Sequence, residues 1–358
     1  MPNTALQQKV VKTLATAQVL NGIGVAGTVA AGSLLVSSIT NSETLAGLAQ
    51  TFSVLGAAAM ALPLARLTAG YQARFAAIDL ATDETRAKQL SFVVWGSTIG
   101  AVAGPNLMDP AGRLAEHFNL PALVGPYMIS AATLIFATIV IQLFLRPDPY
   151  LLAEKQAKVK QHKGSTKAAL THIRSNPKAL FAISAIAIGH VAMVSVMVMT
   201  PIHMKHVDVS LQIIGFVISV HVLGMYAFSP LVGSLSDRLG RVRVIQIGIT
   251  ILLLSTLVSG AAAADDALRL GIGLFLLGLG WSCTLIAGSA FLSESVSVEM
   301  RPASQGASDL VMNLAGAGGG ALAGVIIGTL SYGWLCFFAA IPVLGLAVGA
   351  RRIMKIEN

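Results

Sequence analysis

The stretch that decides the fold is Gly233-Ser-Leu-Ser-Asp237-Arg-Leu-Gly240-Arg241-Val-Arg243, which lies between two long apolar segments. Three arginines, one aspartate and two glycines within eleven residues are typical of a tight turn between two membrane helices. Gly240 would permit the chain reversal, and Gly233 would let one helix end approach its neighbour closely. Asp237 is expected to accept hydrogen bonds from the unpaired N–H groups at a helix N-terminus. The arginines are expected to hold the turn in the cytosol.

The pattern G-x-L-x-D-R-x-G-R-x-R resembles the signature loop of the major facilitator superfamily of secondary transporters. The residues that match are Gly233, Leu235, Asp237, Arg238, Gly240 and Arg241. A generic polar turn would need only a couple of charges, so the spacing favours the family. The resemblance implies an all-α polytopic membrane protein of two helical bundles that rock around a midplane site for a small-molecule substrate. It implies no cofactor.

The composition places the chain in a membrane. It has 358 residues, of which 55% are hydrophobic and only 11% are charged, whereas soluble domains carry about 25% charged residues. Cys283 and Cys336 both lie inside apolar segments, which indicates small core residues and not a disulfide or a metal site. The first apolar segment is too long for a cleavable signal peptide and lacks a small-residue cleavage site, so it is predicted to remain as a span.

Ten runs of about 20 apolar residues are long enough to cross the hydrocarbon core. They are predicted at 13–36, 45–67, 88–108, 122–145, 179–200, 211–234, 244–263, 268–290, 305–328 and 332–350. The longest polar stretch separates four spans from six. The predicted organisation is therefore an N-terminal bundle at 1–145, a basic central loop at 146–178 and a C-terminal six-helix bundle at 179–358.

The basic residues give an orientation. All but three of the 24 lysines and arginines flank the same side of the predicted spans, and the exceptions are Arg113, Lys205 and Arg269. By the positive-inside rule, both termini and the central loop are cytoplasmic in a cell membrane. The net charge of +8 is therefore a topology signal. It argues for the lipid bilayer as a partner and against nucleic acid.

An internal repeat suggests that one helix pair is absent. The segment containing Arg86, Gln89, Gly100 and Gly104 recurs in the second half as Arg301, Gln305, Gly316 and Gly320, with the same spacing from the glutamine to each glycine. The ends of the second and sixth spans, Leu67 and Leu235, lie closer together than these two copies do. The shortfall corresponds to about two spans with short turns. Facilitator halves have six helices each, so the chain is predicted to lack helices 3 and 4, with the join near 68–75.

A stripe of small residues runs through the predicted third span as Gly96-Ser-Thr-Ile-Gly100-Ala-Val-Ala-Gly104-Pro105. Glycines four residues apart let another helix pack closely, and the proline frees a carbonyl and bends the helix. The stripe resembles the G-x-x-x-G-P motif in the fifth helix of facilitator antiporters, although the further glycines after the proline are missing. Helix packing and an antiporter hinge are both open interpretations.

Polar side chains inside spans are functional candidates. They are Gln18, Asn21, His190, His221, Asp309 and Asn313. In the family the first and fourth helices of each half line the path, which favours Gln18, Asn21 and His190. The alternative is a helix–helix hydrogen bond. Asp309 resembles a gate residue, because that helix end in the family packs against the signature loop of the first half. Coupling to protons would fall on His190, His221 or Asp309.

The sequence contains no P-loop, nucleophile–base arrangement or metal-ligand cluster, so neither an enzyme nor an ATP-driven pump is predicted. The Gly22-Ile-Gly24-Val-Ala-Gly27 stretch lies inside a span without a βαβ unit, which indicates close helix packing and not dinucleotide binding. Two hypotheses follow. The first is a facilitator-type transporter that exports a small amphipathic solute by alternating access. The second is a shortened membrane remnant or assembly partner that transports nothing.

Overall fold

The computed structural model describes residues 4–48, 51–53, 56, 96, 98–146, 171, 173–296 and 301–357. Regular structure in these residues is helical, with no strand. The helices are α1 (Thr4–Thr40), α2 (Glu43–Ala46), α3 (98–106), α4 (Met108–His117), α5 (Gly125–Phe144), α6 (Pro177–Lys205), α7 (Leu211–Tyr226), α8 (Ser229–Leu239), α9 (Arg241–Gly260), α10 (Ala267–Glu294), α11 (Arg301–Thr329) and α12 (Tyr332–Glu357). A single 3₁₀ turn, Ala122–Val124, precedes α5.

Eight stretches of the described chain are long and apolar enough to cross a membrane. They match the first predicted span and the fourth to tenth. The predicted second span lies mostly outside the described residues, and of the predicted third span the structure describes 96 and 98–108. The all-α polytopic architecture is confirmed. The count of ten spans stays a prediction.

Internal packing divides the chain into two compact units. The first unit consists of Met1–Ala31 and Gly56–Gln161, and the second consists of Gly32–Leu55 and His162–Asn358. Helix α1 therefore contributes residues to both. The predicted domain boundary, the central loop, lies mostly outside the described residues.

The second unit is built around α10 and α6. Helix α10 packs against α9, α7 and α6, while α6 also packs against α11 and α12. Small residues allow these close approaches: the carbonyl of Gly273 accepts a hydrogen bond from Ser255 Oγ at 2.8 Å across the α9–α10 contact. A Cβ built on Gly280 would lie 3.0 Å from the carbonyl of Gly248. Glycine at these positions lets two spanning helices touch through their backbones.

The helices of this unit begin where the sequence supplies a cap. Asn176 accepts hydrogen bonds at Oδ1 from the N–H groups of Lys178 and Ala179, with Pro177 at the first position of α6. Asp266 accepts one from the N–H of Arg269 at the start of α10. These bonds satisfy N–H groups that have no partner within the helix. Such caps fix where each helix begins.

Candidate functional site

The signature turn joins α8 to α9 through Gly240. This glycine ends one helix and begins the next with φ of +91°, a conformation that strongly favours glycine. Arg241 follows it and donates from Nε to Glu294 Oε1 at 3.0 Å and from Nη1 to Ser236 Oγ at 3.2 Å. Its guanidinium also pairs with the carboxylate of Asp237. One arginine therefore ties α8, α9 and α10 together.

Two expectations for this turn remain predictions. Asp237 pairs with Arg241, and no side chain caps the N-terminus of α9 that follows the turn. A guanidinium four residues away competes with any helix N-terminus for this carboxylate. Gly233 was expected to permit a close helix contact, yet a Cβ built on it meets no atom within 4 Å among the described residues. Arg238, which also matches the signature, is exposed.

In the first unit the glycine stripe packs directly on α1. Cβ atoms built on Gly96 and Gly104 would lie 2.9 Å from the carbonyl of Ala15 and 2.5 Å from that of Ile23. Between them, Gly100 faces the backbone of Val19 just as tightly. The contact repeats every four residues on both helices, which is the geometry of a small-xxx-small interface.

The regular helix is interrupted just after this stripe, at Leu107. Pro105 lacks the N–H that would bond four residues back. Two residues later, the N–H of Leu107 is shared between the carbonyls of Ala103 and Gly104, at 3.2 and 3.1 Å. Helix α3 ends there, and α4 begins at Met108. The helix is thus interrupted two residues after the proline, and the predicted bend and hinge stay predictions.

An aromatic and hydrogen-bonding cluster lies on α6, α7, α10 and α11 of the second unit. The indole Nε1–H of Trp281 donates to Nδ1 of His190 at 3.1 Å. Tyr226 packs edge-on against the same indole, with ring centroids 5.9 Å apart. On the other side, a Cβ built on Gly316 would lie 2.6 Å from Cδ2 of His190. His190 is half-buried among these groups, and we name Tyr226, Trp281, Gly316 and His190 together the His190 cluster.

His221 has a different environment. It is fully buried, and its Nδ1 lies 2.7 Å from the carbonyl of Leu274 on α10. Its Nε2 has no hydrogen-bond partner among the described residues. This geometry fits the helix–helix hydrogen bond that was the alternative interpretation for polar residues in spans.

The remaining predicted site residues are not brought together. On α11, Asn313 is exposed and its Nδ2 donates to the carbonyl of Asp309 at 2.7 Å. Asp309 itself is half-buried. In the first unit, Gln18 is half-buried and Asn21 is exposed on α1. The loop that Asp309 was expected to contact lies at 65–74, outside the described residues.

One contact of the second unit was not predicted at all. Glycines of α11 pack on the start of the second apolar segment: Cβ atoms on Gly324 and Gly328 would lie 2.6 Å from the carbonyl and 2.7 Å from Oγ1 of Thr44. Gly47 faces the carbonyl of Gly320 at 2.5 Å in the same way. At the rim, the carboxylate of Glu43 pairs with Nε2 of His206. We call this contact, between residues 43–47 and α11 with His206, the clasp.

Comparison with known proteins now settles the family. The sequence profile of the Major Facilitator Superfamily matches residues 191–356. Two uncharacterized MFS-type transporters of Bacillus subtilis are similar along most of the chain. YdeG is 30% identical over 92% of this chain and 88% of its own length, and YddS is 31% identical over 94% and 88%. The chain belongs to the major facilitator superfamily.

A more distant relative of this transporter is the Riboflavin transporter RfnT of Brucella anthropi, 26% identical over 75% of this chain and 66% of its own length. A bacterial homologue of the human lysosomal transporter Spinster, in an inward-facing and occupied conformation, superposes with a TM-score of 0.63 over 96% of this chain and 95% of that chain. A POT family transporter in complex with a thioalcohol-conjugated peptide gives 0.60 over 97% and 96%. With identities of 14% and 11%, these two structures show the fold alone.

Sequence reasoning missed two parts of the transporter's described site, and each left a signal. Trp281 places an indole N–H inside a span, and such a donor usually has a partner when it is buried. The α11 side of the clasp was also indicated, because four glycines recur every four residues on this helix: Gly316, Gly320, Gly324 and Gly328. That spacing predicts a close helix contact, but only the fold identifies residues 44–47 as the other side.

Proposed function

We propose that this facilitator exports a small neutral or amphipathic solute by alternating access, and that the His190 cluster contributes to its binding site. The observation that carries this proposal is the cluster itself. His190 and Trp281 form a hydrogen-bonded pair in the apolar middle of α6 and α10, against Gly316. A polar group in a span is costly unless it is satisfied or used, so it marks a functional position by default.

The chemistry of the cluster favours an uncharged or weakly polar solute. Its members offer aromatic edges, ring nitrogens and a phenol, and they include no carboxylate, lysine or arginine. The relative RfnT is named a riboflavin transporter. Riboflavin is a planar amphipathic molecule with several carbonyl and ring-nitrogen acceptors, and it is therefore a reasonable first probe of this class.

For the signature turn we propose a conformational lock. Arg241 joins Asp237 on α8 to Glu294 on α10, so a movement of α8 away from α10 that exceeds the reach of this side chain would break one of these pairs. The side chain of Arg241 is only 22% exposed, which places its charge partly out of water. The lock would hold one state of the transport cycle and open in the other.

We also propose the predicted orientation, with both termini cytoplasmic, and the four-plus-six arrangement of spans. The length of the match to YdeG supports the loss of a helix pair. That match extends over 377 residues, which exceeds the 358 residues of this whole chain, although it covers only 92% of it. The relative therefore carries residues that have no counterpart here. Such an excess is expected if the helix pair was lost near 68–75, where the internal repeat places the join.

Flux into inverted membrane vesicles tests the function. The vesicles would contain the full chain and be offered riboflavin and tetraphenylphosphonium, with and without an imposed proton gradient. We expect uptake that Asp237→Asn reduces severalfold while the amount inserted is unchanged. The matched control is Asp265→Asn, which removes a carboxylate from an exposed turn at the other end of α9.

The same vesicles test the coupling and the orientation. Uptake that requires the gradient would assign proton coupling, whose candidates are His190, His221 and Asp309. Uptake without it would assign facilitated export. An impermeant thiol reagent should label Arg238→Cys and spare Val207→Cys, because they lie at opposite ends of the spans. A properly inserted chain that moves no probe would instead support the non-transporting remnant.

A further inference from the structure

The hydrogen bond between Trp281 and His190 determines which nitrogen of His190 carries a proton. An indole N–H can only donate, so Nδ1 of His190 must accept. In a neutral imidazole the other nitrogen then holds the hydrogen. His190 is therefore an Nε2–H donor wherever this bond is intact. The distance of 3.1 Å is normal for such a bond.

The surrounding residues hold the indole in place. Trp281 is 5% exposed, so it contributes little surface to a ligand and acts through His190. Tyr226 packs against it edge-on, with the two rings at 82°. An indole that is buried, packed against a second ring and engaged through its N–H has few alternative rotamers. Trp281 is therefore a rigid support for the imidazole.

The donor edge of His190 is turned toward α11. A Cβ built on Gly316 would lie 2.8 Å from Nε2, so only a glycine leaves room for the imidazole there. Among the described residues, His190 makes its hydrogen bond at Nδ1 and none at Nε2, and its side chain is half-buried. The site thus holds a fixed, directed N–H group that no protein acceptor in the described chain occupies.

We propose that Trp281 is a positioning residue that keeps His190 as a hydrogen-bond donor to an acceptor atom of the transported solute. This rests on the proposed function and deepens it. A fixed donor favours solutes that carry a carbonyl oxygen or an unprotonated ring nitrogen. It offers nothing to a lipophilic cation without acceptors. The transporter should therefore select neutral, acceptor-bearing solutes over cations of similar size.

Trp281→Phe is the decisive variant, because it keeps an aromatic ring and removes the N–H. Affinity for riboflavin should fall by about three- to tenfold, the range of one neutral hydrogen bond, with little change in maximal flux. Tetraphenylphosphonium, which has no acceptor, serves as the matched probe whose binding should not change. His190→Gln retains an amide donor. Adding Trp281→Phe to it should cost no further affinity.

A spectroscopic test separates this proposal from the transport function. Nitrogen-15 spectra of histidine-labelled protein in bilayers, with His190→Gln to assign the signal, should show His190 unprotonated at Nδ1 and protonated at Nε2. Trp281→Phe should mix the two tautomers, and riboflavin should shift the Nε2 resonance. An Nδ1–H in the unmodified protein, or an Nε2 resonance that riboflavin leaves unmoved, would overturn the proposal. Correct spectra without any flux would instead refute transport of this probe.

Discussion

Each of the two ends of the second unit carries an ion pair, but the two pairs join different kinds of segment. At the signature turn, Arg241 links α8, α9 and α10, which follow one another in the chain. At the other end the clasp joins Glu43 to His206, 163 residues away. The turn depends on charges, because its glycine only reverses the chain. The clasp depends on backbone contact, because its glycines remove the side chains between two segments.

This difference indicates which contacts can stabilise one conformation of the transporter. Exposed ion pairs contribute little, about 0.2–1 kcal/mol each, and break readily. Backbone packing through glycines is sensitive to shape, since one added side chain forces the segments apart. We therefore expect the clasp to determine whether its end of the second unit opens. The signature turn should change how often the opposite end opens.

The largest effect should come from a covalent bridge across the clasp. Thr44→Cys with Gly328→Cys places two thiols in contact, because a Cβ at 328 would lie 2.7 Å from Oγ1 of Thr44. If this end must open during transport, oxidation should abolish flux, and a reductant should restore it. The measurement is vesicle uptake before and after oxidation.

The two natural cysteines, Cys283 and Cys336, are buried and leave the experiment clean. Each single-cysteine variant is the control, and the oxidant should leave its flux unchanged. A fully cross-linked protein that still transports would show that the clasp is a static contact and not a gate. The two ends would then differ only in how their residues pack.

An intermediate effect is expected from filling the glycine contact. A Cβ on Gly324 would lie 2.8 Å from Cα of Gly47, so Gly324→Leu must displace residues 44–47. Overpacking of this kind costs about 1–3 kcal/mol. The thermal unfolding midpoint in detergent should therefore fall by several degrees.

The matched control lies on the same helix. Gly318→Leu adds the same side chain where a Cβ meets nothing within 4 Å among the described residues. It should leave the midpoint nearly unchanged. Equal losses from the two variants would mean that the α11 helix tolerates no leucine anywhere, and the contact with residues 44–47 would carry no special weight.

The sequence was a good guide to features that depend on neighbouring residues. Apolar runs predicted α6 at 179–200, and the helix runs from Pro177 to Lys205, because its ends continue past the hydrocarbon with a capping asparagine and polar residues. Gly240 was predicted to reverse the chain, and its positive φ does so. Even the Asp237–Arg241 pair was visible as a four-residue spacing, although the aspartate was assigned to a helix end.

Features that depend on helix rotation could not be predicted. Trp281 and His190 are 91 residues apart, and their bond requires α6 and α10 to present particular faces. Residues 43–47 meet α11 for the same reason. Gly233 was taken as a packing residue from a family motif, and among the described residues a Cβ built on it meets no atom within 4 Å. Periodicity gives the face of a helix but not the neighbour that it meets.

The smallest effects should separate the two ion pairs themselves. Double-mutant cycles with glutamine at both partners would measure the coupling of Arg241 with Glu294 and of His206 with Glu43. Arg241 is 22% exposed and makes two contacts to one carboxylate oxygen, at 3.0 and 2.9 Å. His206 and Glu43 are 46% and 29% exposed and share a single contact. We expect the first coupling near the top of the usual range of about 0.2–1 kcal/mol and the second near the bottom.

The exposed pair of Arg113 and Asp109, at 72% and 39% exposure, provides a solvated reference. Unfolding titrations at low and high salt would give the three couplings, and salt should weaken the reference and the clasp pair more than the turn. If the coupling energy at the clasp exceeds the one at Arg241, the expected order of the two ion pairs is reversed. The clasp would then be held by charge, its glycines would serve only to bring Glu43 within reach of His206, and Gly324→Leu would act through the loss of that pair.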